Sequence, residues 1–180
     1  PGSKCNSKNI NFMATHGRGL ICLALTKQKV EELNLPLMSS LNKARMQTAF
    51  TISIEARKGI TTGISAFDRA KTIKTAISKK SRKKNIVSPG HVFPLVARSG
   101  GVLERAGHTE ASVDISKLSK LNPSAVICEV MNQDGRMARL KDLKIFAKKH
   151  KLKIASIEDI ISFRLKNEKL IKSIKIKNII

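Results

Sequence analysis

The sequence has 180 residues, of which 41% are hydrophobic, and its 35 Lys and Arg outnumber 13 Asp and Glu to give a net charge of +22. This length and composition fit a globular domain with a real core and exclude a disordered chain. The sequence contains no run of about 18 apolar residues, so no transmembrane helix is predicted. The first residues lack the apolar segment of a signal peptide, so we expect neither a membrane partner nor export.

In chain order, the first half predicts helices that alternate with strands. Ser7 is expected to cap a short helix that ends near Gly17, and residues 19–25 form an apolar run of strand length. Thr26 then caps a second helix, and residues 48–56 alternate as a half-buried strand. The residues predicted on its apolar face are Phe50, Ile52, Ile54 and Ala56, and those predicted on its other face are Thr51, Ser53 and Glu55.

A third helix is predicted after Ser65, because Ser65 and Asp68 have the spacing of a capping box. The predicted apolar stripe of this helix is Phe67, Ala70, Ile73 and Ile77. The dense basic run at residues 79–84 is predicted to be a solvated linker, which Pro89 and Gly90 close.

The second half predicts strands at residues 92–97, 125–131 and 152–155. Asp134 and Gly135 indicate a turn, residues 140–147 a helix, and Ser156 with Asp159 the start of a last helix at residues 157–165. Because strands and helices interleave, the predicted fold class is α/β (α+β), a single-domain layered sandwich of mixed sheet and helices.

Composition also limits the partners of this chain. The excess of lysine and arginine would suit nucleic acid, but aromatic residues are 3% of the chain, without Trp or Tyr, so surfaces for base stacking are scarce. We therefore favour anionic substrates such as sugar phosphates over nucleic acid, and a basic nucleic-acid-binding protein is the weaker alternative. The three cysteines, Cys5, Cys22 and Cys128, lack metal-site spacing and indicate a reduced, cytoplasmic protein.

Residues 98–111 concentrate chemically active side chains in a loop. Three glycines allow tight turns and a close approach of the backbone to a ligand. Arg105 and Thr109 are donor types that hold phosphate, and His108 beside Glu110 offers metal-ligand or acid–base chemistry. A polar turn between two elements is the simpler alternative.

Three other places invite a functional interpretation. Pro89 and Gly90 present His91 at a fixed angle, although this histidine could equally cap a strand end. Glu129 interrupts an apolar run; if buried, its pKa would rise toward that of a general acid or base, but it could instead face solvent on an edge strand. Residues 61–65 precede a helix and could favour an anion, or simply cap the helix.

Seven blocks of the sequence, in the same order, resemble the 3,4-dihydroxy-2-butanone 4-phosphate synthase family over residues 9–165. They are His16-Gly-Arg-Gly-Leu-Ile-Cys22, Thr48-Ala-Phe-Thr-Ile-Ser-Ile-Glu55, Thr61-Thr-Gly-Ile-Ser-Ala66 with Asp68-Arg69, Pro89-Gly-His-Val-Phe-Pro94, Gly100-Gly-Val-Leu-Glu-Arg-Ala-Gly-His-Thr-Glu-Ala111, Ile127-Cys-Glu129 and Asp134-Gly-Arg-Met-Ala-Arg139.

The resemblance implies that D-ribulose 5-phosphate is converted to 3,4-dihydroxy-2-butanone 4-phosphate and formate for riboflavin biosynthesis. It implies a homodimer with active sites shared between subunits and a requirement for Mg²⁺ or Mn²⁺. His91 and Glu129 match the catalytic acid–base residues, and His108 matches a metal ligand. The residues that match substrate contacts are Arg105, Ala106, Gly107, His108, Thr109, Glu129 and Cys22, although Cys22 could equally be a core thiol.

The resemblance also implies an acidic loop of the form Asp-Asp-Glu-x-Arg-Glu-Asn-Glu-Gly-Asp, which supplies further metal and substrate contacts. Here the first carboxylate is Glu31. We therefore expect residues 1–8 to be a non-native or truncated start, residues 9–165 to be the synthase-like domain, and residues 166–180 to be a basic tail or linker. In bifunctional relatives such a linker leads to a GTP cyclohydrolase II domain. A catalytically inactive scaffold of the same fold is the alternative.

Overall fold

The fold is that of a computed structural model, which describes residues 1–43 and 47–169. Its strands are β1 (Cys22–Thr26), β2 (Ile54–Ala56), β3 (Ile86–Ala97) and β4 (Ser124–Ile127). Its α-helices are α1 (Ser7–Phe12), α2 (Lys27–Glu32), α3 (Ala66–Ile77), α4 (His108–Leu118), α5 (Leu140–His150) and α6 (Ile157–Asn167). None of the helices in these two ranges is long and apolar enough to cross a membrane. Of the predicted tail at residues 166–180, residues 170–180 lie outside the described residues.

The four strands form one mixed sheet in the order β2-β3-β1-β4. The central strand β1 is parallel to β3, where Cys22 is paired with Phe93, and antiparallel to β4, where Cys22 is paired with Ile127. Strand β2 is antiparallel to β3 at the edge of the sheet. The predicted single-domain α+β fold with a mixed sheet is confirmed.

Alternating side chains of β1 divide the core between the two faces of the sheet, as strand geometry requires. Leu23 and Leu25 are fully buried in the larger cluster, which also contains Ile73 of α3. Ala24, between them, belongs to a smaller cluster with Val113 of α4. The sheet is therefore a middle layer, with α1 and α3 on one side and α4 on the other.

Local capping signals predicted most helix starts correctly. The hydroxyl of Ser65 accepts a hydrogen bond from the backbone N–H of Asp68 at 3.0 Å, and Ser156 and Asp159 form a complete capping box. The first helix is an exception, because Asn6 rather than Ser7 is its cap: the Asn6 side chain accepts from the N–H of Asn9 at 3.0 Å.

The strand predicted over residues 48–56 is much shorter in the structure. Only Ile54–Ala56 forms a strand, and the pairing with β3 shifts register between Ile54 and Glu55. Thr51 was predicted on the polar face but is fully buried, because its N–H donates to the carbonyl of Pro94 at 3.0 Å. Because the register shifts, successive side chains in this segment do not simply alternate between a buried and an exposed face.

Three other predictions of local structure were wrong. Pro89 and Gly90 lie inside β3 rather than in a linker, since β3 starts at Ile86. Phe67 of α3 is 76% exposed and is not part of the apolar stripe. Residues 152–155 form no strand: Leu152 and Ile154 are about half exposed, so alternation in the sequence did not produce burial there.

Candidate functional site

His91 lies within β3 and contacts a carboxylate on the neighbouring strand β2. Its Nδ1 is hydrogen-bonded to Oε1 of Glu55. Gly90 allows this contact, because a Cβ atom at position 90 would overlap the backbone of Ile54. The His91 side chain is 44% exposed and that of Glu55 14%. When Nδ1 carries its proton, the carboxylate accepts a hydrogen bond from Nδ1–H. Nε2 then faces away from Glu55 and can take or give a proton toward solvent.

Glu129 is outside the sheet, which corrects the prediction that a strand carries it through residues 125–131. Because β4 ends at Ile127, Glu129 is exposed and not buried in an apolar run. Its Oε2 accepts a hydrogen bond from the backbone N–H of Leu20 at 2.8 Å. Gly19 permits this approach, since a Cβ atom there would lie 2.7 Å from the carbonyl oxygen of Glu129.

Cys22 starts β1 and is 3% exposed. Burial, with smaller contributions from Glu129 and Cys128, raises the pKa of the Cys22 thiol to about 12. A thiol with this pKa is protonated and a poor nucleophile at neutral pH. The structure therefore places Cys22 in the core next to Glu129, as an uncharged side chain.

The loop at residues 98–107 carries Arg105, whose guanidinium is paired with a buried carboxylate. Glu110 of α4 is 1% exposed and forms a 2.6 Å ion pair with Nη1 of Arg105. Its other oxygen accepts from the N–H of Arg98 at 3.1 Å. Glu110 was predicted to work beside His108 in metal or acid–base chemistry; it instead fixes the position of the Arg105 guanidinium, which keeps 25% of its side-chain surface exposed.

The segment after Arg105 leads into the amino end of α4. Gly107 precedes the helix without a side-chain cap, and His108 is its first residue and is exposed. Thr109 is only 6% exposed, whereas Ala106 is exposed. A helix start and a neighbouring guanidinium are both favourable to an anion. The predicted phosphate-binding segment therefore has suitable geometry, with Thr109 the least accessible of its members.

The predicted residues form two groups along the sheet. His91, in the middle of β3, and Glu129 lie near the amino end of β1, whereas residues 105–109 follow the carboxyl end of β3. His91 and Arg98 are seven positions apart, about 23 Å along an extended strand, and Arg98 is bonded to Glu110 beside His108. One chain therefore does not bring His91 and His108 together.

Comparison with known proteins identifies the family. A sequence model of the 3,4-dihydroxy-2-butanone 4-phosphate synthase family matches residues 1–163. The chain belongs to this family. It is 56% identical over 173 residues to the Riboflavin biosynthesis protein RibBA of Aquifex aeolicus, covering 95% of this chain and 43% of that protein. It is 53% identical over 171 residues to the 3,4-dihydroxy-2-butanone 4-phosphate synthase of Photobacterium phosphoreum, covering 95% and 47%.

Solved structures of the family have the same fold. RibBX, a two domain 3,4-dihydroxy-2-butanone 4-phosphate synthase from A. baumannii, superposes with a TM-score of 0.90 at 49% identity, covering 93% of this chain and 49% of that one. A family member in complex with two magnesium ions gives a TM-score of 0.86 at 36% identity, covering 92% and 82%. The chain spans about half the length of the curated relatives it matches.

His108 is the predicted metal ligand of this site. In residues 1–43 and 47–169 no group of three or more His, Cys, Asp or Glu side chains could hold a metal ion. Glu110, the acidic residue nearest His108 in sequence, is bound to Arg105. His108 is thus at most one ligand of a metal in this family fold. The described residues do not fit a complete divalent-cation site.

Two side chains near the site were not predicted as functional. Glu55 was predicted as a polar position in an alternating strand and ended a block of the family resemblance, but its pairing with His91 depends on how the strands of the sheet pair. Arg69 of α3 lies near Cys128, and its Nε is buried without a hydrogen bond in the described part of the chain. Burial lowers the pKa of Arg69. Its block in the family resemblance was the one available signal.

In the hydroxyl-rich segment at residues 61–65, the donors of Thr61 and Gly63 are bonded to a carboxylate of the chain itself. The hydroxyl of Thr61 donates to Asp68 at 2.8 Å, and the N–H of Gly63 donates to the same oxygen at 3.0 Å. The carboxylate of Asp68 therefore already occupies this helix start, and the capping alternative describes the segment.

Proposed function

We propose that this chain provides the activity of its family, the conversion of D-ribulose 5-phosphate to 3,4-dihydroxy-2-butanone 4-phosphate and formate in riboflavin biosynthesis. The five carbons of the substrate are divided between a four-carbon product and formate. The observation on which the proposal rests is the arrangement of Arg105: a buried carboxylate, Glu110, fixes a guanidinium beside the uncapped start of α4.

In this proposal, residues 105–109 bind the phosphate end of the substrate. Arg105 offers a charged donor whose orientation is set by Glu110, so little side-chain freedom is lost when phosphate binds. The backbone at Gly107 and the exposed imidazole of His108 lie beside it. A fixed cation next to a helix start holds one end of a small sugar phosphate and thereby orients the reacting carbons.

His91 and Glu129 are the proposed acid–base residues. The Glu55 carboxylate orients His91 through Nδ1, so Nε2 is the atom that exchanges a proton with the substrate. Glu129 keeps one oxygen, Oε1, beyond the one bonded to the N–H of Leu20. Enolisation and the later loss of formate each need proton transfer at carbon or oxygen, which an imidazole and a carboxylate supply.

We propose a homodimer with shared active sites, because the two groups of residues are separated within one chain. His91 lies in the middle of β3, and the segment around His108 lies beyond its carboxyl end. A single five-carbon substrate cannot bridge that separation. In a two-fold dimer, the His91 end of one subunit faces the Arg105 end of the other, and each site then contains both groups.

Divalent-cation dependence is part of the proposal, with Mg²⁺ as the favoured ion because a family member is known in complex with two magnesium ions. His108 would be one ligand. The described residues do not complete its coordination. The cytoplasm is the proposed location, in keeping with three free cysteines.

Formate release from D-ribulose 5-phosphate in the presence of Mg²⁺ tests the proposal. It would be measured for this chain and for a version that carries an acidic segment of the form Asp-Asp-Glu-x-Arg-Glu-Asn-Glu-Gly-Asp. We expect formate from the protein with the acidic segment, and loss of formate when Arg105 is replaced by Met. A folded, dimeric protein with the acidic segment that releases no formate would show that the proposed activity is wrong.

A further inference from the structure

A basic cleft lies on the surface between β2, α3 and the 3-10 turn at Lys83–Asn85. It has a volume of about 370 Å³. Its lining residues are Arg57, Lys58, Lys71, Thr75, Lys84 and Asn85. Four of the six are cations, two are neutral donors and none is acidic. The cleft includes the end of the basic run at residues 79–84, to which the proposed activity gives no role.

Backbone contacts bring these side chains together from three separate segments. The Nε of Arg57 donates to the carbonyl of Lys84 at 2.8 Å, and the N–H of Arg57 donates to the carbonyl of Asn85 at 3.0 Å. The N–H of Ala56 donates to the Thr72 hydroxyl at 3.0 Å and thereby ties β2 to α3. The side of Arg57 that faces Lys84 is thus fixed before any ligand arrives.

Lys71 reaches the same cleft from α3 across a glycine. A Cβ atom at Gly59 would lie 3.2 Å from Cε and 3.7 Å from Nζ of Lys71, so this ammonium group lies against the turn that follows Lys58. Gly59 has φ +75°, a conformation that favours glycine. The turn therefore leaves room for Lys71 next to the segment that carries Lys58, and both side chains line the cleft.

These cations have no counter-charge within the chain as described. Ion pairs in residues 1–43 and 47–169 involve other side chains, and none includes Arg57, Lys58, Lys71 or Lys84. Like charges held together repel one another, and salt screens this repulsion only in part over a few ångströms. A bound polyanion would remove the repulsion and gain charge-assisted hydrogen bonds.

The cleft is distinct from the proposed phosphate site at Arg105. Lys84 and Asn85 directly precede β3, whereas Arg105 follows its other end. Twelve residues of extended strand separate the two, about 40 Å at 3.3 Å per residue. A ligand in the cleft would therefore not contact residues 105–109 of the same chain.

We propose that this cleft binds a chain of linked phosphate groups, as in pyrophosphate, tripolyphosphate or a nucleoside polyphosphate. The four cations carry more positive charge than one phosphate group balances, since a phosphate carries about two negative charges at neutral pH. The volume is in the range of small-molecule sites. The cleft lacks aromatic side chains on which nucleobases would stack. The linked phosphates, rather than a base, are therefore the recognised group.

Calorimetric titration of the full chain with tripolyphosphate at 150 mM salt tests this proposal. The variant is K58Q/K71Q/K84Q, and the matched control is K144Q/K148Q/K149Q, which removes the same charge from α5. We expect the cleft variant to weaken binding at least about tenfold, a loss of about 1.4 kcal/mol, and the control to change it less than about twofold. Circular dichroism would confirm that both variants are folded.

Comparison ligands separate the possible sources of binding. Orthophosphate is expected to bind much more weakly than tripolyphosphate, and ADP to bind similarly to pyrophosphate if only the phosphates are recognised. Equal losses in the two variants, absence of tripolyphosphate binding, or competition by D-ribulose 5-phosphate would each overturn the proposal. Tighter, cleft-dependent binding of single-stranded DNA would overturn it in favour of nucleic acid. None of these readouts depends on formate release.

Discussion

Arg164 of α6 donates a hydrogen bond of 2.8 Å to the carboxylate of Asp114 on α4. The same guanidinium nitrogen donates to the carbonyl of Gly100 at 2.8 Å, and Asp114 also accepts from the N–H of Val102 at 2.8 Å. The turn that leads to Arg105 is therefore held on two sides by a charged pair from two helices. Asp114 is 3% exposed and the Arg164 side chain 13%.

Replacing Arg164 with Met should destabilise the fold strongly. The change leaves the buried carboxylate of Asp114 without its cation, and loss of one partner of a buried pair costs about 3 kcal/mol of unfolding free energy. Urea unfolding followed by circular dichroism measures this loss. The matched control is Lys166→Met on the same helix, for which we expect a change within about 0.5 kcal/mol. Equal stability of the two variants would contradict the role of the pair.

The contact between Glu55 and His91 predicts a positioning role for the carboxylate. His91→Gln should lower the kcat for formate release about 100-fold or more, since it removes the acid–base group itself. Glu55→Gln keeps the shape but removes the charge that orients Nδ1, so kcat should fall while KM changes little. Glu31→Gln, an exposed member of a surface pair on α2, is the control. A change in KM alone for Glu55→Gln would contradict this assignment.

We expect Asp68 to make the stability of the fold depend on pH in the acid range. The Thr61 hydroxyl, assisted by the N–H groups of Thr61 and Gly63, lowers the pKa of Asp68. A carboxylate with a lowered folded pKa stabilises the fold above its unfolded pKa of about 3.9, and this stability is lost as the pH falls through the folded pKa.

Unfolding of the wild type, Asp68→Asn and Thr61→Val between pH 7 and pH 3 measures this dependence. The stability advantage of the wild type over each variant should be constant above about pH 5 and shrink below about pH 4. Thr61→Val removes the largest cause of the lowered pKa while it keeps the carboxylate. An advantage that stays constant down to pH 3 would contradict the prediction.

The three cysteines should react slowly in the folded protein. Burial raises the pKa of Cys5, Cys22 and Cys128, in the case of Cys22 to about 12. Because the thiolate is the reactive form, modification by an aromatic disulfide reagent at pH 8 should be at least about tenfold slower than in guanidinium chloride. Rapid native-state labelling of Cys22, located by mass spectrometry, would show instead that this thiol is accessible and active.

Local signals in the sequence predicted the parts of the fold that depend on neighbouring residues. The helix starts at Ser65 and Ser156 follow from side chains three positions apart, and β1 follows from a short apolar run. Strand β2 could not be predicted in the same way, because its short length depends on a register shift against β3. Cis-linked Pro89 inside β3 also breaks the rule by which proline ends a strand.

The predicted site shows the same division. Residue types identified the Arg105 segment but did not predict the ion pair between Arg105 and Glu110. Glu110 faces inward from the first turn of α4, a direction that depends on how the helix packs on the sheet. Exposure of Glu129 depends on where β4 ends, and the pairing of His91 with Glu55 depends on contact between strands. These are tertiary relationships that one sequence does not encode locally.

The separation of His91, in β3, from His108, at the start of α4, has a consequence for mixtures of two inactive variants. If each site takes His91 from one subunit and His108 from the other, a heterodimer of H91Q and H108Q chains has one doubly defective site and one intact site. Unfolding and refolding the two variants together should restore formate release, whereas either variant refolded alone should stay inactive. Two inactive variants would thus regain activity by forming mixed dimers. The recovered fraction of formate release would give the fraction of mixed dimers.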